Sequence, residues 1–199
     1  SSYRAVPADL LAGVMTELAV LVPVLGRPQN ASPLVESFLA GCPEDSHLLF
    51  IDDPVKDELA AIEPFLDENR IWWTSYTGAT TWPQKINLGV EVTEADWFLC
   101  AADDITFEPG WWEATEAARH APNIGVIGTN DSATGRGNPR VAQGEPTCHP
   151  LISRYYIEKY GTVDEPGKAV HDGYNHWCVD DELAWTAKVR GAWMFCREA

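Results

Sequence analysis

Positive charge is scarce in this chain: 14 Lys and Arg face 30 Asp and Glu, a formal net charge of −16. A surface for duplex DNA needs Lys and Arg clustered against the phosphates, so that class of partner is disfavoured. A nucleotide held through a metal is a different case, because there carboxylates are the ligands. Long apolar runs are missing too. No stretch of 18 apolar residues occurs, and no membrane span is expected. The five cysteines (Cys42, Cys100, Cys148, Cys178 and Cys196) are odd in number, widely spaced and without a Cys-x-x-Cys pair. This argues against a zinc site or a disulfide framework, and reads as reduced, mostly buried thiols in a cytoplasmic protein. Ser1-Ser2-Tyr3 has neither the basic start of a signal peptide nor an initiator Met, as expected of a processed or engineered terminus. No internal repeat or low-complexity tract is present.

What remains suffices for one sizeable core. A length of 199 residues with 45% hydrophobic residues predicts a single domain over 1–199. Nine Trp are many, yet most Trp simply pack, so the number alone says little about sugar or base stacking. A short helix is expected over 8–17, then a buried parallel strand over 18–25, broken by Gly26-Arg27-Pro28. Strands are expected over 47–51, 71–74, 96–101 and 124–128, alternating with helices over 32–39, 55–67, 83–92 and 111–120. Trp72 and Trp73 alternate across a strand, which puts at least one of them in the core. The second half is less regular. Residues 132–146, rich in Gly, Pro, Asn and Arg, read as a surface loop. A strand-like 147–152, a helix over 153–160, a polar loop to His176, a helix over 180–189 and a strand over 192–196 follow. Such alternation predicts an α/β fold: a mostly parallel sheet with helices on both faces.

The run Trp97 to Trp111 carries the most information. An apolar strand ends abruptly in Asp103-Asp104, and a Pro109-Gly110 break then opens a helical pattern. Open α/β sheets bind ligands beyond the carboxyl ends of their strands. Adjacent residues there point to opposite sides, so one carboxylate can meet a metal and the other a hydroxyl. A second strand ends in the same way, at Asp52-Asp53. Folding alone does not call for that repetition.

Taken in order, these landmarks resemble the GT-A-type nucleotide-sugar glycosyltransferases, especially the inverting family two. Val20-Leu21-Val22-Pro23-Val24-Leu25-Gly26-Arg27-Pro28 looks like the family's first strand and Asn-Arg-Pro-type turn. Phe50-Ile51-Asp52-Asp53 resembles the second-strand motif that contacts the nucleoside, and Lys85-Ile86-Asn87-Leu88-Gly89-Val90 the helix before the metal strand. Asp103-Asp104 fits the Asp-x-Asp position, with Ala102 where many members carry the first Asp. Val179-Asp180-Asp181-Glu182-Leu183 is similar to the late Glu-Asp motif. Asp53-Pro54-Val55 departs from the usual Gly-Ser that follows the nucleoside carboxylates.

The resemblance implies a Rossmann-like GT-A sheet, with a nucleotide-sugar-binding half over 1–131 and an acceptor-binding half over 132–199. Pro23, Val24, Arg27, Asp53, Lys85 and Asp103 are then expected to bind a UDP- or GDP-type sugar. Asp104 is expected to hold Mn²⁺ or Mg²⁺, hard cations suited to oxygen ligands. Asp181 is the expected base, taking a proton from the acceptor hydroxyl during displacement with inversion. His171, in the polar loop before Asp181, is a candidate further metal ligand. Trp177 and His149 are candidates for the acceptor, which would be a glycan, a lipid-linked glycan, a protein or a modified nucleobase. Arg136 and Arg140 stand in the Gly-rich loop, where they would close over phosphates.

Each of these residues has a plainer role available. Asp52 and Asp53 precede a helix and suit its free N–H groups; Asp180, Asp181 and Glu182 suit a helix dipole. Other functions also compete. A sugar-1-phosphate nucleotidyltransferase needs a Gly-rich, basic loop after the first strand, and here that turn holds one Gly. A retaining transferase, or a degenerate sugar-nucleotide-binding domain without catalysis, stays open; the latter is favoured by Ala102.

Overall fold

Leu18 to Val22 have no solvent exposure, and burial on both sides is what a continuous apolar run of this length requires. In the computed structural model, which describes residues 15–52, 60–66, 68–75, 78–130, 143, 147–175 and 178–199, they form the middle of strand β1 (Thr16–Pro23). β1 lies parallel to β2 (Ser46–Asp52) on one side and to β4 (Ala95–Cys100) on the other, and β3 (Ile71–Ser75) runs parallel outside β2. With β5 (Val126–Thr129), β6 (Leu151–Ser153) and β7 (Trp193–Cys196) the seven strands take the order β3-β2-β1-β4-β6-β5-β7. Six run in one direction; β6 is antiparallel to both neighbours, β4 and β5.

Side chains alternate across this sheet. Val20, Val22, Leu48 and Phe50 face helix α1 (Ala31–Gly41), which buries Leu34, Val35 and Phe38 against them. Leu21, Leu49 and Ile51 face helix α2 (Trp82–Val92), which returns Ile86 and Val90. A Cβ added at Gly89 would stand 2.8 Å from both Ile51 Cδ1 and Leu21 Cδ2, so α2 sits this close to the sheet only because position 89 carries no side chain. The start of α2 is fixed by a capping box. Thr81 accepts from the Gln84 backbone N–H, and Gln84 Oε1 accepts from Thr81 N at 3.2 Å. Helices α3 (Trp111–Ala114) and α4 (Glu116–Arg119) join the α1 face through Trp111, Trp112 and Ala118. Helices α5 (Arg154–Lys159) and α6 (Val179–Val189) join the α2 face through Tyr156, Ile157, Val179, Leu183 and Ala187.

Several boundaries differ from expectation. The predicted first helix was to reach Glu17, but Thr16 already pairs with Ala95 in the ladder and bonds Asp45 O through its hydroxyl at 2.7 Å. Sheet pairing wins there; residues 8–14 lie outside the described residues. The first strand stops at Pro23 rather than at residue 25, and Leu25 is exposed. The helix expected over 111–120 is split into α3 and α4. Thr115, fully buried between them, turns its hydroxyl onto the Trp112 carbonyl at 2.7 Å. Of the helix expected over 55–67, residues 60–66 are described; they end in a 3-10 turn over Glu63–Phe65, and Ile62 is buried in the core. The strand expected over 147–152 shrinks to β6, because Thr147 is drawn instead to the end of β5. Its hydroxyl accepts from Thr129 N at 3.1 Å and lies 3.2 Å from Thr129 O, while Thr129 Oγ1 donates to His149 O at 2.6 Å. Of the paired tryptophans, Trp73 is in the core and Trp72 stacks on the His47 ring at 3.6 Å. Among the described residues, no helix is long and apolar enough to cross a membrane.

Candidate functional site

The carboxyl edge of the parallel strands gathers most of the expected residues. β2 ends in Asp52, which is 1% exposed. β1 ends in Pro23, after which Val24 stays buried and its N–H donates to Ile51 O at 3.0 Å. Beyond β4, Ala101 N donates to Leu21 O at 2.9 Å and the chain turns at Asp103-Asp104. The first turn of α2 clamps both exits. Lys85 Nζ donates to Val24 O at 2.9 Å, and Trp82 Nε1 donates to Ala101 O at 3.1 Å. Lys85 is 3% exposed, so its ammonium shapes the Val24–Arg27 turn from beneath. A lysine within the Ile86–Gly89–Val90 stripe was the available signal for that burial.

From this turn Arg27 reaches across to the end of β4. Its guanidinium is forked between two adjacent carboxylates, with Nη2 on Asp103 Oδ1 and Nη1 on Asp104 Oδ2, the latter at 2.8 Å. The two acids differ in environment. Asp103 is 3% exposed, whereas the Asp104 side chain is 51% exposed. Burial works against charge on Arg27, but the hydrogen bonds and field of Asp103 and Asp104 outweigh it and raise its pKa. Asp103 Oδ2 is buried with no hydrogen-bond partner among the described residues.

Asp104 opens onto a cleft of about 610 Å³, whose walls include Phe107, Trp111, Asn130, His149 and Arg197. His149, an expected acceptor residue, thus shares the cleft with Asp104. Asn130 and Arg197 were not anticipated; the Asn130 side chain donates to Arg197 O at 2.9 Å, a contact between segments far apart in sequence.

Topology brings the remaining acids to the same edge. β7 is parallel to β5, β5 antiparallel to β6, and β6 antiparallel to β4, so β7 points the same way as β4. Between α6 and β7 the chain reverses at Gly191 (φ 64), and Ala192 N returns to Ala187 O at 2.9 Å. α6 therefore runs against β7 and starts at the carboxyl edge. Its first turn carries Asp180, half-buried, and Asp181, exposed. Glu182 is committed elsewhere, accepting from Thr162 Oγ1 and Thr186 Oγ1, each at 2.8 Å. Asp53, Arg136, Arg140, His176 and Trp177 lie outside the described residues.

His171 stands beside two carboxylates of its own loop. One ligand atom each from Glu165, His171 and Asp172 lie within 4.8 Å of one another. Lys168 Nζ reaches the two carboxylates of this group at 3.4 and 3.0 Å. No hydrogen bond or ion pair among the described residues joins it to Asp103 or Asp104. The segment is pinned to α2 by Asn87, which donates to Val170 O at 2.8 Å and accepts from Ala169 N and Val170 N at 3.0 and 3.1 Å.

Asp103 and Asp104 fit a hard divalent cation. Both offer oxygen, and the buried Asp103 Oδ2 is an acceptor left without a donor. Burial pushes the Cys42 thiol up to about 12 and raises that of Cys100 as well, away from the thiolate form that binds metals.

The seven-stranded, mostly parallel sheet with its single reversed strand is an α/β fold of the GT-A type. Among solved structures the chain is similar to residues 1–349 of S. aureus TarS, with a TM-score of 0.68 at 13% identity, over 92% of this chain and 58% of that one. The same TarS fragment in complex with UDP superposes with a TM-score of 0.69 at 12% identity, again over 92% and 58%. The mannosyltransferase PcManGT from Pyrobaculum calidifontis, in complex with GDP-Man and Mn²⁺, gives a TM-score of 0.64 at 11% identity, covering 91% of this chain and 54% of that one. The chain thus spans little more than half the length of these structures. By sequence, no family model matches and no curated protein is similar.

Proposed function

We propose that this chain is the catalytic core of a metal-dependent glycosyltransferase, moving a sugar from a nucleoside-diphosphate sugar to an acceptor hydroxyl with inversion. The observation that carries this reading is the pairing of buried Asp103 with exposed Asp104 at the carboxyl edge, opening on the 610 Å³ cleft. Neighbours of the same fold, in complex with UDP, UDP-GlcNAc or GDP-Man, support the donor class.

In this reading the donor half lies within 1–131 and the acceptor half within 132–199. Asp53 and the Pro23–Arg27 turn hold the nucleoside, and Lys85 fixes that turn. Asp104, with Asp103, would hold Mn²⁺ or Mg²⁺, which when bound neutralises charge gathering on the leaving diphosphate. Asp181 accepts the proton of the acceptor hydroxyl as its oxygen forms the new bond to the anomeric carbon. The bond from that carbon to the diphosphate breaks, and the diphosphate leaves with the electron pair. His149 and Trp177 would bracket the acceptor. Free thiols and the lack of a Cys pair suit a reducing, cytoplasmic setting.

The test is a thermal-shift and calorimetric panel of UDP, GDP and their sugars, each with and without Mn²⁺. Specific binding raises the melting temperature in step with ln(1 + [L]/Kd). Stabilisation by one diphosphate family that needs Mn²⁺ is the expected result, and no response to any member of the panel defeats the proposal. A second reading, a sugar-nucleotide-binding domain without catalysis, is favoured by Ala102. Failure to hydrolyse a tightly bound UDP- or GDP-sugar under any acceptor condition would favour it.

A further inference from the structure

Arg27 meets both strand-end carboxylates of the site, while its Nε is buried with no hydrogen-bond partner among the described residues. Two of its nitrogens are spent on the two carboxylates that the proposed function assigns to the cation. A buried carboxylate such as Asp103 is costly without a compensating charge, and the fork supplies one. A guanidinium and a divalent ion are both cations, and Arg27 already holds Asp103 Oδ1 and Asp104 Oδ2, so an ion on this acid pair meets a like charge and a half-occupied set of oxygens. Both cannot use those oxygens at full strength.

We propose that Arg27 is the resident counter-ion of the metal site, and that divalent cation binding is a cation exchange in which Arg27 must let go of Asp103 and Asp104. This rests on the reading of Asp103-Asp104 as metal ligands and deepens it, by assigning the site a built-in competitor. Two consequences follow from charge alone. The acid pair is held together before any metal arrives, so its carboxylates do not repel each other apart. And the guanidinium released by the exchange stays tethered to the β1 turn, at the same edge of the sheet, free to meet a phosphate that enters with the metal.

The experiment is a titration of the folded chain with Mn²⁺ alone, without nucleotide, followed by calorimetry and by the melting temperature. Wild type, Arg27→Gln, Arg27→Lys and the double variant Arg27→Gln/Asp104→Asn are compared. The expected result is that Arg27→Gln binds Mn²⁺ about tenfold more tightly than wild type. Arg27→Lys, which keeps the charge but not the fork, should fall between. Arg27→Gln should also start less stable and gain more melting temperature from Mn²⁺, and the double variant should lose both gains. Equal or weaker Mn²⁺ binding by folded Arg27→Gln overturns the exchange while leaving the metal reading intact. No binding of Mn²⁺ by wild type or by folded Arg27→Gln up to millimolar concentration removes the metal reading and the exchange with it.

Discussion

The ammonium of Lys85 rests on the carbonyl of Val24 at 2.9 Å, joining the first turn of α2 to the chain as it leaves β1. The bond is buried, so its donor and acceptor have little access to water as an alternative. Lys85→Met keeps much of the stem and removes the donor. Stability should fall by about 1–3 kcal/mol in urea unfolding, with nucleotide affinity reduced as well because the Val24–Arg27 turn loosens. A variant as stable as wild type would mean that the contact is incidental.

Asp104→Asn preserves volume and removes one negative charge from the cleft. Mn²⁺-dependent binding of the nucleoside diphosphate should drop by more than tenfold, about 1.4 kcal/mol or more. Isothermal titration with and without Mn²⁺ measures it, and unchanged metal-dependent affinity in a folded variant contradicts the assignment.

Asp181 and Asp180 share the first turn of α6, and both favour its dipole to a similar degree. As base, Asp181 alone should matter for chemistry. Asp181→Asn should leave donor affinity nearly intact and cut transfer by roughly 10²–10⁴-fold, while Asp180→Asn is far milder. Equal small losses in both would reduce the pair to a helix start and turn attention to a retaining mechanism.

His47 is buried against Trp72, and that burial lowers its pKa to about 4, with Arg70 pushing the same way and Asp45 opposing. In the unfolded chain the imidazole takes a proton below about 6.5; in the fold it waits until about 4. Unfolding therefore binds a proton across that window, and stability declines as pH falls from 6.5 toward 4, by on the order of 2–3 kcal/mol. His47→Gln should flatten the slope in this window. An unaltered slope in that variant would assign the loss to other groups.

Asn87 holds three main-chain groups of the segment before α6. Asn87→Ala should cost on the order of 3 kcal/mol, since two N–H groups and a carbonyl lose their partner. Hydrogen exchange at Ala169 and Val170 should quicken selectively, and uniform exchange across the chain would instead indicate global destabilisation.

How far the sequence anticipates this structure depends on the range of the forces involved. Local patterns carry β1, β2 and β4, because a buried parallel strand has to be apolar on both sides and its end is marked where carboxylates begin. The α2 start is equally visible, since Thr81 and Gln84 form their cap within one turn. The reversal of β6 is not. A three-residue strand has too few alternations to reveal its direction, and that direction is set by the slot left open between β4 and β5. Arg27 was expected at the site, but its grip on the two acids was not legible. A lone Arg in a turn looks solvated, and its partners stand 76 and 77 residues away. Nor does periodicity expose Thr115, whose hydroxyl interrupts a helix that the flanking residues would otherwise extend. Asp52, Asp103, Asp104 and Asp181 were legible as strand-end and helix-start acids; what each contacts was not.

The paired threonines at the end of β5 have one more effect. Thr129 and Thr147 grip each other, so the end of β5 is fastened to the residues that lead into β6. Doubling the length of chain between two fastened points raises its closure cost by only about 0.6 kcal/mol. Evolution can therefore change the length and chemistry of the sequence between these threonines while the strands that hold the acids keep their register.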